Sequence, residues 1–268
     1  VYKVNFKNEQ EVKLFLDKIR NKSLSPKNTD EFFEANVGNK LANIFFRPYT
    51  KKMWGLDPKN LEINIGARLP IRTNDDTRYF NDNFQALPKD GYSKMIERML
   101  DHKNINVYLN TPYHKGLEFK YDHAFLCIPI DEFYQFKYGE LPYRSILFKS
   151  ILEDSYEQSA PVINFTDDSI YTRKTQWNLF PNSPERKNNL NTITFEKPCS
   201  IEENPGEYYY PVKTRNSKII YENYRRLSKS QDKITFCGRA GLFKYIDMIP
   251  AVNIHLKLAN DFLIGKNN

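Results

Sequence analysis

Apolar residues recur three and four positions apart in two parts of the chain, which is the spacing of one face of an α-helix. This pattern predicts helices over residues 11–20 and 91–102. We expect a further helix over residues 29–40, which leads into an aromatic stretch. Residues 21–28 separate the first two helices. They are polar and contain a proline, so we expect a mobile loop there.

Runs rich in β-branched and aromatic residues predict short strands on both sides of the midpoint of the chain. Two of them follow the third helix, over residues 105–109 and 123–129. The second is nearly all apolar, as in buried parallel strands. Between residues 161 and 212 polar turns separate further runs, which predicts antiparallel strands. These runs are 162–165, 192–195 and 208–210.

The C-terminal part returns to a mixture of helix and strand. The pattern predicts a helix over 217–228, a strand over 233–237 and a closing helix from about residue 248, with a proline in its first turn. We therefore predict a mixed α/β (α+β) fold in which an α/β part is interrupted by an antiparallel sheet.

Length and composition are those of a globular protein. The chain has 268 residues, of which 40% are apolar and 27% are charged, so it can bury a substantial core in one or two domains. No stretch approaches the roughly 20 apolar residues of a spanning helix, and the first residues do not resemble a signal peptide. We expect a cytoplasmic protein without a membrane partner.

The cysteines and histidines do not predict a metal site. Cys127, Cys199 and Cys237 are far apart and lack the paired spacing of metal ligands, and the four histidines are equally scattered. Cys127 and Cys237 lie in or beside apolar runs. We interpret them as small core thiols and not as part of a disulfide framework.

The charge balance favours an anionic partner. Lys and Arg total 40 against 33 Asp and Glu, which gives a net charge of +7. Nucleic acid, a membrane surface and a phosphate-rich small molecule all fit this charge. Acidic residues are interleaved with the basic ones, which for most of them indicates a solvated surface.

Aromatic side chains cluster between residues 45 and 55, where short stretches containing polar residues separate the adjacent Phe45 and Phe46 from Tyr49, and Tyr49 from Trp54. Such a series can stack a nucleobase, with about 1–3 kcal/mol for each stack. The alternative is that Phe45, Phe46 and Trp54 belong to the hydrophobic core, which is the more frequent role of such residues.

Arginines and tyrosines occur together around Arg68 and around Arg173. The arginine fork offers a diphosphate two parallel charge-assisted hydrogen bonds, and tyrosine hydroxyls add neutral donors. Taken singly, each arginine is more often a surface residue or the partner of a carboxylate.

Residues 237–248 combine a strand, a glycine-containing turn and a helix start. Unpaired backbone N–H groups at such a corner can bind an anion. The segment is neither a Walker loop nor a dinucleotide fingerprint, so the motif alone is of moderate specificity.

The order and wording of these segments resemble the UDP-galactopyranose mutase family along nearly the whole chain. The resemblance is carried by Phe-Phe-Arg-Pro-Tyr-Thr-Lys-Lys-Met-Trp-Gly (45–55), Ala-Arg-Leu-Pro-Ile-Arg (67–72), Tyr-Phe-Asn-Asp (79–82), Pro-Lys-Asp-Gly-Tyr-Ser-Lys-Met (88–95), Val-Ile-Asn-Phe-Thr-Asp (162–167), Tyr-Thr-Arg (171–173), Tyr-Tyr-Pro-Val (209–212) and Cys-Gly-Arg-Ala-Gly-Leu-Phe-Lys-Tyr-Ile-Asp-Met (237–248).

This resemblance implies a flavin-dependent isomerase that interconverts UDP-galactopyranose and UDP-galactofuranose for cell-surface polysaccharide. In that family N5 of reduced FAD attacks the anomeric carbon as UDP leaves, so the protein needs no Ser, Cys or His nucleophile. The implied fold is a partial FAD-binding Rossmann-like domain, interrupted by a helical segment and by an antiparallel substrate-binding sheet.

The resemblance also divides the chain into three parts. Residues 1–50 would form the helical segment with its mobile loop. Residues 51–90 and 131–212 would form the substrate domain, and residues 91–130 and 213–268 the remaining part of the FAD-binding domain.

Carried over residue by residue, the resemblance assigns roles in substrate and flavin binding. Tyr49 would stack on the uracil, and Trp54 would line the sugar pocket. Arg68 and Arg173 would grip the diphosphate and stabilise its charge as it leaves. The other positions fall into three groups: Phe45, Phe46, Thr50 and Asn164 around the uridine; Tyr79, Tyr210 and Tyr245 at the phosphates; Gly238, Arg239, Asp247 and Met248 at the flavin.

The family begins with a strand, a glycine-rich turn and a helix that hold the ADP half of the flavin, and the sequence has no match to this segment. We therefore expect the chain alone to bind flavin weakly or not at all and to show little or no activity. Flavin absorbance of the purified chain would contradict this expectation.

The partner implied by the resemblance is a UDP-galactose nucleotide sugar, with neither nucleic acid nor membrane, and a homodimer is compatible with the sequence. Two alternatives stay open. A module that binds UDP-sugars without catalysis would bind UDP tightly and show no turnover. A nucleic-acid binder would bind single strands with an affinity that falls steeply with salt.

Overall fold

The computed structural model describes residues 1–76, 78–154, 158–181, 183 and 190–266. Its helices are α1 (Glu9–Ile19), α2 (Thr29–Leu41), α3 (Arg47–Trp54), α4 (Ile63–Gly66), α5 (Gly91–Leu100), α6 (Ile130–Phe133), α7 (Arg215–Lys229), α8 (Gly238–Gly241) and α9 (Met248–Lys266). Its strands are β1 (Ala124–Leu126), β2 (Tyr143–Asp154), β3 (Val162–Asn164), β4 (Arg173–Gln176), β5 (Leu190–Ser200), β6 (Tyr210–Pro211) and β7 (Ile234–Phe236). Within the described ranges, no helix has both the length and the apolar character that crossing a bilayer requires.

The first two helices begin at asparagine caps and meet at a glycine. The side chains of Asn8 and Asn28 accept backbone N–H groups at the starts of α1 and α2. Helix α2 kinks at Gly38, whose φ is 75° and whose Cβ, if present, would lie 2.1 Å from the carbonyl oxygen of Ile19. Glycine is needed there because the backbone is left-handed and the end of α1 is so close.

Arg47 connects α3 to α2. Its guanidinium forms an ion pair with Asp30, which is buried in α2, and Nη1 donates to Oδ1 of Asn43 at 2.8 Å. The π-helical segment Ala42–Phe46 lies between the two helices. Its wider turn lets α2 continue directly into α3 without a loop.

The antiparallel sheet has the strand order β3-β4-β5-β2-β6. Strands β2 and β5 form an extended pairing at its centre. Strand β4 lies on the other side of β5, where Arg173 is opposite Glu196, and β3 follows with Asn164 opposite Arg173. The register therefore places a polar side chain on each side of Arg173.

A second sheet pairs two strands that are distant in sequence. Strand β1 runs parallel to β7, with Leu126 opposite Phe236. The whole antiparallel sheet and α7 lie between these strands along the chain. This arrangement confirms the predicted mixed α/β fold, in which an α/β part is interrupted by an antiparallel sheet.

Three apolar clusters form the core of the described chain. One surrounds the fully buried Tyr224 of α7 and includes Phe236 of β7. A second contains Trp54 and lies against Tyr210 and Tyr245. The third joins α2 to the π-helical segment. The second cluster therefore continues into residues that the sequence assigned to a binding site.

Two expectations from the sequence pattern are wrong. Residues 105–109 do not form a strand, and Leu109 is 80% exposed. An alternating apolar run becomes a strand only where another strand pairs with it, and none of the described strands does so. Cys127 is exposed and is therefore not a core thiol. Cys237 is buried, as expected.

We predict that Tyr224→Phe lowers the free energy of unfolding by about 2 kcal/mol. The buried Tyr224 hydroxyl donates to the carbonyl of Gly139 at 2.8 Å and accepts from the N–H of Tyr138 at 2.9 Å. The substitution removes this partner from both backbone groups. Urea denaturation measures the effect, with Tyr121→Phe as the control, since Tyr121 is 56% exposed. Equal losses in the two variants would contradict the prediction.

Candidate functional site

The register of the sheet fixes the surroundings of Arg173. Nη1 of Arg173 lies 3.5 Å from Oε1 of Glu196, which is opposite it in β5. Nε donates to Oδ1 of Asn164, opposite it in β3, at 3.3 Å. Glu196 is buried, and a buried carboxylate needs a cation beside it. These two contacts therefore hold the guanidinium in a defined orientation.

Helix α3 brings Tyr49 to Arg173. The helix is attached to the turn before β4 by Lys52, whose Nζ donates to the carbonyl of Tyr171 at 2.9 Å and lies 3.5 Å from Oδ1 of Asp167. The guanidinium of Arg173 contacts the hydroxyl of Tyr49. Helix and sheet thus place an aromatic ring beside a cation.

Three aromatic rings continue the cluster from Arg173 towards the C-terminal part of the chain. The ring centroids of Tyr210 and Tyr245 are 5.2 Å apart, and Trp54 packs edge-on to them at 5.8 and 5.6 Å. The rings come from α3, β6 and the turn between α8 and α9. Three distant segments therefore meet at this point.

Arg68 lies at the other end of the tyrosine pair. Its guanidinium carbon is 4.0 Å from the ring centroid of Tyr245, and Nη2 donates to both carboxylate oxygens of Asp247 at 2.5 and 2.7 Å. Arg239 approaches the same ring at 4.6 Å. The side chain of Arg68 stays 30% exposed, so it remains accessible to a bound molecule.

Burial keeps the three tyrosine hydroxyls protonated. It raises the pKa of Tyr49, Tyr210 and Tyr245, and the nearby arginines oppose the rise without cancelling it. Burial also works against the charge of Arg173, but Tyr49 and Glu196 outweigh this effect and raise the pKa of the guanidinium. At neutral pH the cluster therefore combines cations with neutral hydroxyl donors.

Arg68 and Arg173 accordingly flank one tyrosine pair, although 105 residues separate them in the sequence. Two guanidinium groups and protonated hydroxyls can bind adjacent phosphate groups through charge-assisted hydrogen bonds. The ring of Tyr49 next to one cation offers a surface on which a planar base can stack. The cluster therefore offers the kinds of group that can recognise a nucleoside diphosphate.

Some of the other predicted residues border this cluster. Thr50 is buried in α3. Tyr79 is 47% exposed, and its hydroxyl donates to the carbonyl oxygen of Arg68 at 3.2 Å. The roles of Thr50 and Tyr79 in substrate binding remain predictions.

Phe45 and Phe46 lie elsewhere. They line a cavity of about 620 Å³ beside α1. Phe46 packs against the buried Phe33 with 5.1 Å between ring centroids, whereas Phe45 is 46% exposed. Phe46 therefore has the core contacts of the alternative interpretation, and neither ring joins the cluster of Tyr49. Their predicted place around a uridine stays a prediction.

The residues assigned to a flavin lie in one turn next to the cluster. Gly238 follows β7 with a φ of 71°, and Arg239 donates through Nη2 to the carbonyl of Ile246 at 2.6 Å. Asp247 then leads into α9, whose first residue, Met248, is 64% exposed. A helix start beside an arginine fits an anionic group such as the pyrophosphate of a dinucleotide.

Glu196 and Lys52 shape the site but were not among the predicted residues. Lys52 connects α3 to the sheet, and Glu196 is the counter-ion of Arg173. The sequence did contain a signal for Glu196, because this carboxylate lies inside a run of β-branched and aromatic residues. A carboxylate that is buried in such a run is usually paired with a cation. Lys52 has no such signal, since a second lysine precedes it in a helix.

A wider cleft, of about 1010 Å³, runs along another face of α3. It is lined by Arg47, Lys51 and Lys52 together with carboxylates of α2, and none of the predicted site residues faces it. Its mixed charges lack the aromatic surface that a nucleobase needs. Volume alone therefore does not identify the candidate site.

A family model described as UDP-galactopyranose mutase matches residues 44–245, which include both arginines and the complete tyrosine cluster. The chain belongs to this family. The resemblance seen in the sequence segments is thus confirmed.

Mutases of several bacteria are similar to this family member. The chain is 34% identical over 246 residues to a Klebsiella pneumoniae protein named probable UDP-galactopyranose mutase. The aligned region covers 91% of this chain and 63% of that relative. The chain is 32% identical over 251 residues to an Escherichia coli dTDP-fucopyranose mutase, with 91% and 65% covered. A Mycoplasma genitalium UDP-galactopyranose mutase is 28% identical over 240 residues, with 83% and 58% covered. The chain therefore spans less than two thirds of the length of these relatives.

A solved structure supports the same fold. The crystal structure of a reduced UDP-galactopyranose mutase superposes with a TM-score of 0.60 and covers 89% of this chain and 68% of that chain. The sequences are 18% identical, so this similarity concerns the fold.

We predict that Arg173→Ala lowers the free energy of unfolding of this mutase-family chain by about 2 kcal/mol, because it leaves Glu196 buried without a cation. Adding Glu196→Gln should restore part of the loss. Arg226→Ala is the control, since the Arg226 side chain is 74% exposed and should contribute little. Chemical denaturation of the four proteins measures this. The ion pair would have no structural role if Arg173→Ala and Arg226→Ala unfolded alike.

Proposed function

We propose that the chain is the nucleotide-sugar-binding part of a flavin-dependent mutase that interconverts UDP-galactopyranose and UDP-galactofuranose. The observation that carries the proposal is the position of Arg68 and Arg173 on either side of Tyr210 and Tyr245. Family membership supports the type of reaction, a ring contraction without net oxidation. The chain length relative to its relatives makes the activity of the whole protein part of this proposal.

The diphosphate is proposed to lie between the two arginines. Arg173 is directed by Glu196 and Arg68 by Asp247, so neither cation has to be reoriented when the anion arrives. The hydroxyls of Tyr210 and Tyr245 donate to the same oxygens. When the anomeric C–O bond breaks, negative charge grows on the β-phosphate. Fixed donors in a half-buried site stabilise that charge more strongly than water does.

The uracil is proposed to stack on Tyr49, with Thr50 and Asn164 within the same region. Asn164 already accepts a hydrogen bond from Arg173, so base and phosphate binding share one arginine-centred network. Trp54 lies against both Tyr210 and Tyr245 and would form the apolar wall beside the sugar. Binding of the base thereby positions the sugar relative to the cations.

Gly238, Arg239, Asp247 and Met248 would hold the flavin. When bound, FAD supplies the nucleophilic nitrogen that the protein itself lacks. Arg239 carries a positive charge next to Tyr245 and is fixed by the carbonyls of Tyr209 and Ile246. The proposed flavin and diphosphate sites would therefore meet at Tyr245, whose ring is approached by both Arg239 and Arg68.

The similarity to a dTDP-fucopyranose mutase supports a second candidate substrate. This substrate would be a dTDP-sugar. Its base, thymine, carries a methyl group that uracil lacks, and fucose lacks the hydroxyl group that galactose has at C6. Both substrates share the diphosphate, so the arginine cluster does not distinguish them. Discrimination depends on the surroundings of the base and the sugar.

We predict that UDP binds to the chain at least about tenfold more weakly after Arg173→Lys, because an ammonium group loses one of two parallel hydrogen bonds. Arg226→Ala should leave the affinity unchanged. Isothermal titration calorimetry with UDP and dTDP in parallel measures both effects. Tighter binding of dTDP would favour the second substrate. Equal UDP affinity in the wild type and Arg173→Lys would contradict the proposed diphosphate site.

Turnover distinguishes the mutase from a module that only binds. UDP-galactofuranose is incubated with FAD, dithionite and the protein extended to the full length of its relatives, and the products are separated by chromatography. Conversion to UDP-galactopyranose supports the isomerase. Bound and reduced flavin without conversion would reject it and leave the binding module. Failure of single-stranded nucleic acid to shift in low-salt electrophoresis would remove the nucleic-acid alternative. A cytoplasmic location and a homodimer also remain proposals.

A further inference from the structure

Two cysteines lie side by side where the strands of the parallel sheet end. Cys127 directly follows β1 and Cys237 directly follows β7. The N–H of Cys237 donates to the carbonyl of Leu126 at 2.9 Å, which continues the pairing beyond the strands. The two sulfur atoms are 3.4 Å apart. The backbone therefore holds the thiols together although they are 110 residues apart in the sequence.

From this geometry we infer that Cys127 and Cys237 are a reversible disulfide site that reacts with low-molecular-weight disulfides. Cys127 is the attacking thiol because it is exposed, and the buried Cys237 is the resolving thiol. The inference does not rest on the proposed mutase activity, although the thiol pair lies beside Gly238, at the turn assigned to the flavin.

The distance between the sulfurs can close with a small movement. A disulfide bond is about 2.05 Å long, so the sulfurs have to approach by little more than one ångström. The neighbouring glycine leaves room for this. A Cβ on Gly238 would lie 3.1 Å from Sγ of Cys127. A larger residue at that position would restrict the rotation of the Cys127 side chain.

The second thiol activates the first. The hydrogen bond between the two sulfur atoms lowers the pKa of Cys127 and, together with burial, raises the pKa of Cys237. His255 lies beside the pair, where its Nε2 accepts the N–H of Gly238 at 2.7 Å and its Nδ1 faces the carbonyl of Ala251 at 2.6 Å. It also lowers the pKa of Cys127, but to a smaller extent than Cys237 does. The thiolate is therefore stabilised mainly by Cys237.

The reaction is a balanced thiol–disulfide exchange. The Cys127 thiolate attacks one sulfur of oxidised glutathione and releases one glutathione thiolate, which takes up a proton. Cys237 then loses its proton to solvent and attacks Sγ of Cys127, which releases the second glutathione. The two protein thiols are oxidised by two electrons in total, and the glutathione disulfide is reduced by the same two.

Cys199 is an internal control. It is 1% exposed in β5, and burial raises its pKa, so its thiol is neither accessible nor activated. A reagent that oxidises the Cys127 and Cys237 pair should leave Cys199 as a thiol.

The test treats the chain with oxidised glutathione, followed by denaturation, maleimide labelling and mass spectrometry. We expect the oxidised wild type to lose two hydrogens and to take up maleimide at Cys199 alone, with a Cys127–Cys237 peptide after digestion. Its melting temperature should rise by roughly 5 °C or more, since the bond closes a long loop. Dithiothreitol should reverse both changes.

Two variants assign the roles of the thiols. The Cys237→Ser variant should accumulate one glutathione on Cys127. The Cys127→Ser variant should react far more slowly with oxidised glutathione, because the remaining thiol, Cys237, is buried. The inference would be overturned if all three wild-type thiols stayed open to maleimide. It would also be overturned if glutathione remained on Cys127 of the wild type without being displaced. Both results are read from mass, so they are distinct from a failure of nucleotide binding.

Discussion

The ion pair between Arg173 and Glu196 is the contact on which the candidate site depends. It joins two neighbouring strands at opposed positions, so the hydrogen-bond register of the sheet determines where the guanidinium lies. A shift of one residue would turn one partner to the other face of the sheet. The buried carboxylate of Glu196 keeps the guanidinium of Arg173 in place. This guanidinium in turn contacts the hydroxyl of Tyr49 in α3. The register of the sheet therefore determines both the position of this cation and its contact with α3.

The tyrosines extend this constraint across the molecule. Tyr210 and Tyr245 connect the sheet to the turn after α8, and Arg68 connects them to α4. Apolar packing of Trp54 against both rings places the site on the edge of a core cluster. Residues proposed to bind the substrate are therefore in direct contact with residues of the core. Substitutions at these positions should change stability and affinity together.

The spacing of apolar residues along the chain predicted the elements in which this spacing stays constant from end to end. Helices α1 and α5 lie within a few residues of their predicted ranges, because each has one apolar face. Helix α2 also lies close to its predicted range, although its apolar residues are not confined to one face. Strand β2 was missed because its first part is buried and its second part exposed, which leaves no single alternation to detect. Helix α3 was treated as an aromatic stretch, since its start depends on the π-helical segment and on Arg47.

The candidate site was predictable in composition but not in contacts. Arg68, Arg173 and the tyrosines were identified from segments that resemble a family. The pairing of Arg68 with Asp247 spans 179 residues, and no local spacing encodes it. Phe45 and Phe46 show the reverse case: two residues from the same segment as Tyr49 face another part of the molecule, because the π-helical segment turns them towards α1.

Two cations from separate segments are proposed to bind one diphosphate. Calorimetry with uridine, UMP and UDP on the wild type and Arg68→Gln tests this arrangement. The second phosphate should increase the affinity of the wild type by about tenfold or more, Arg68→Gln should lose this gain, and uridine should bind both proteins equally. An unchanged gain in Arg68→Gln would contradict it.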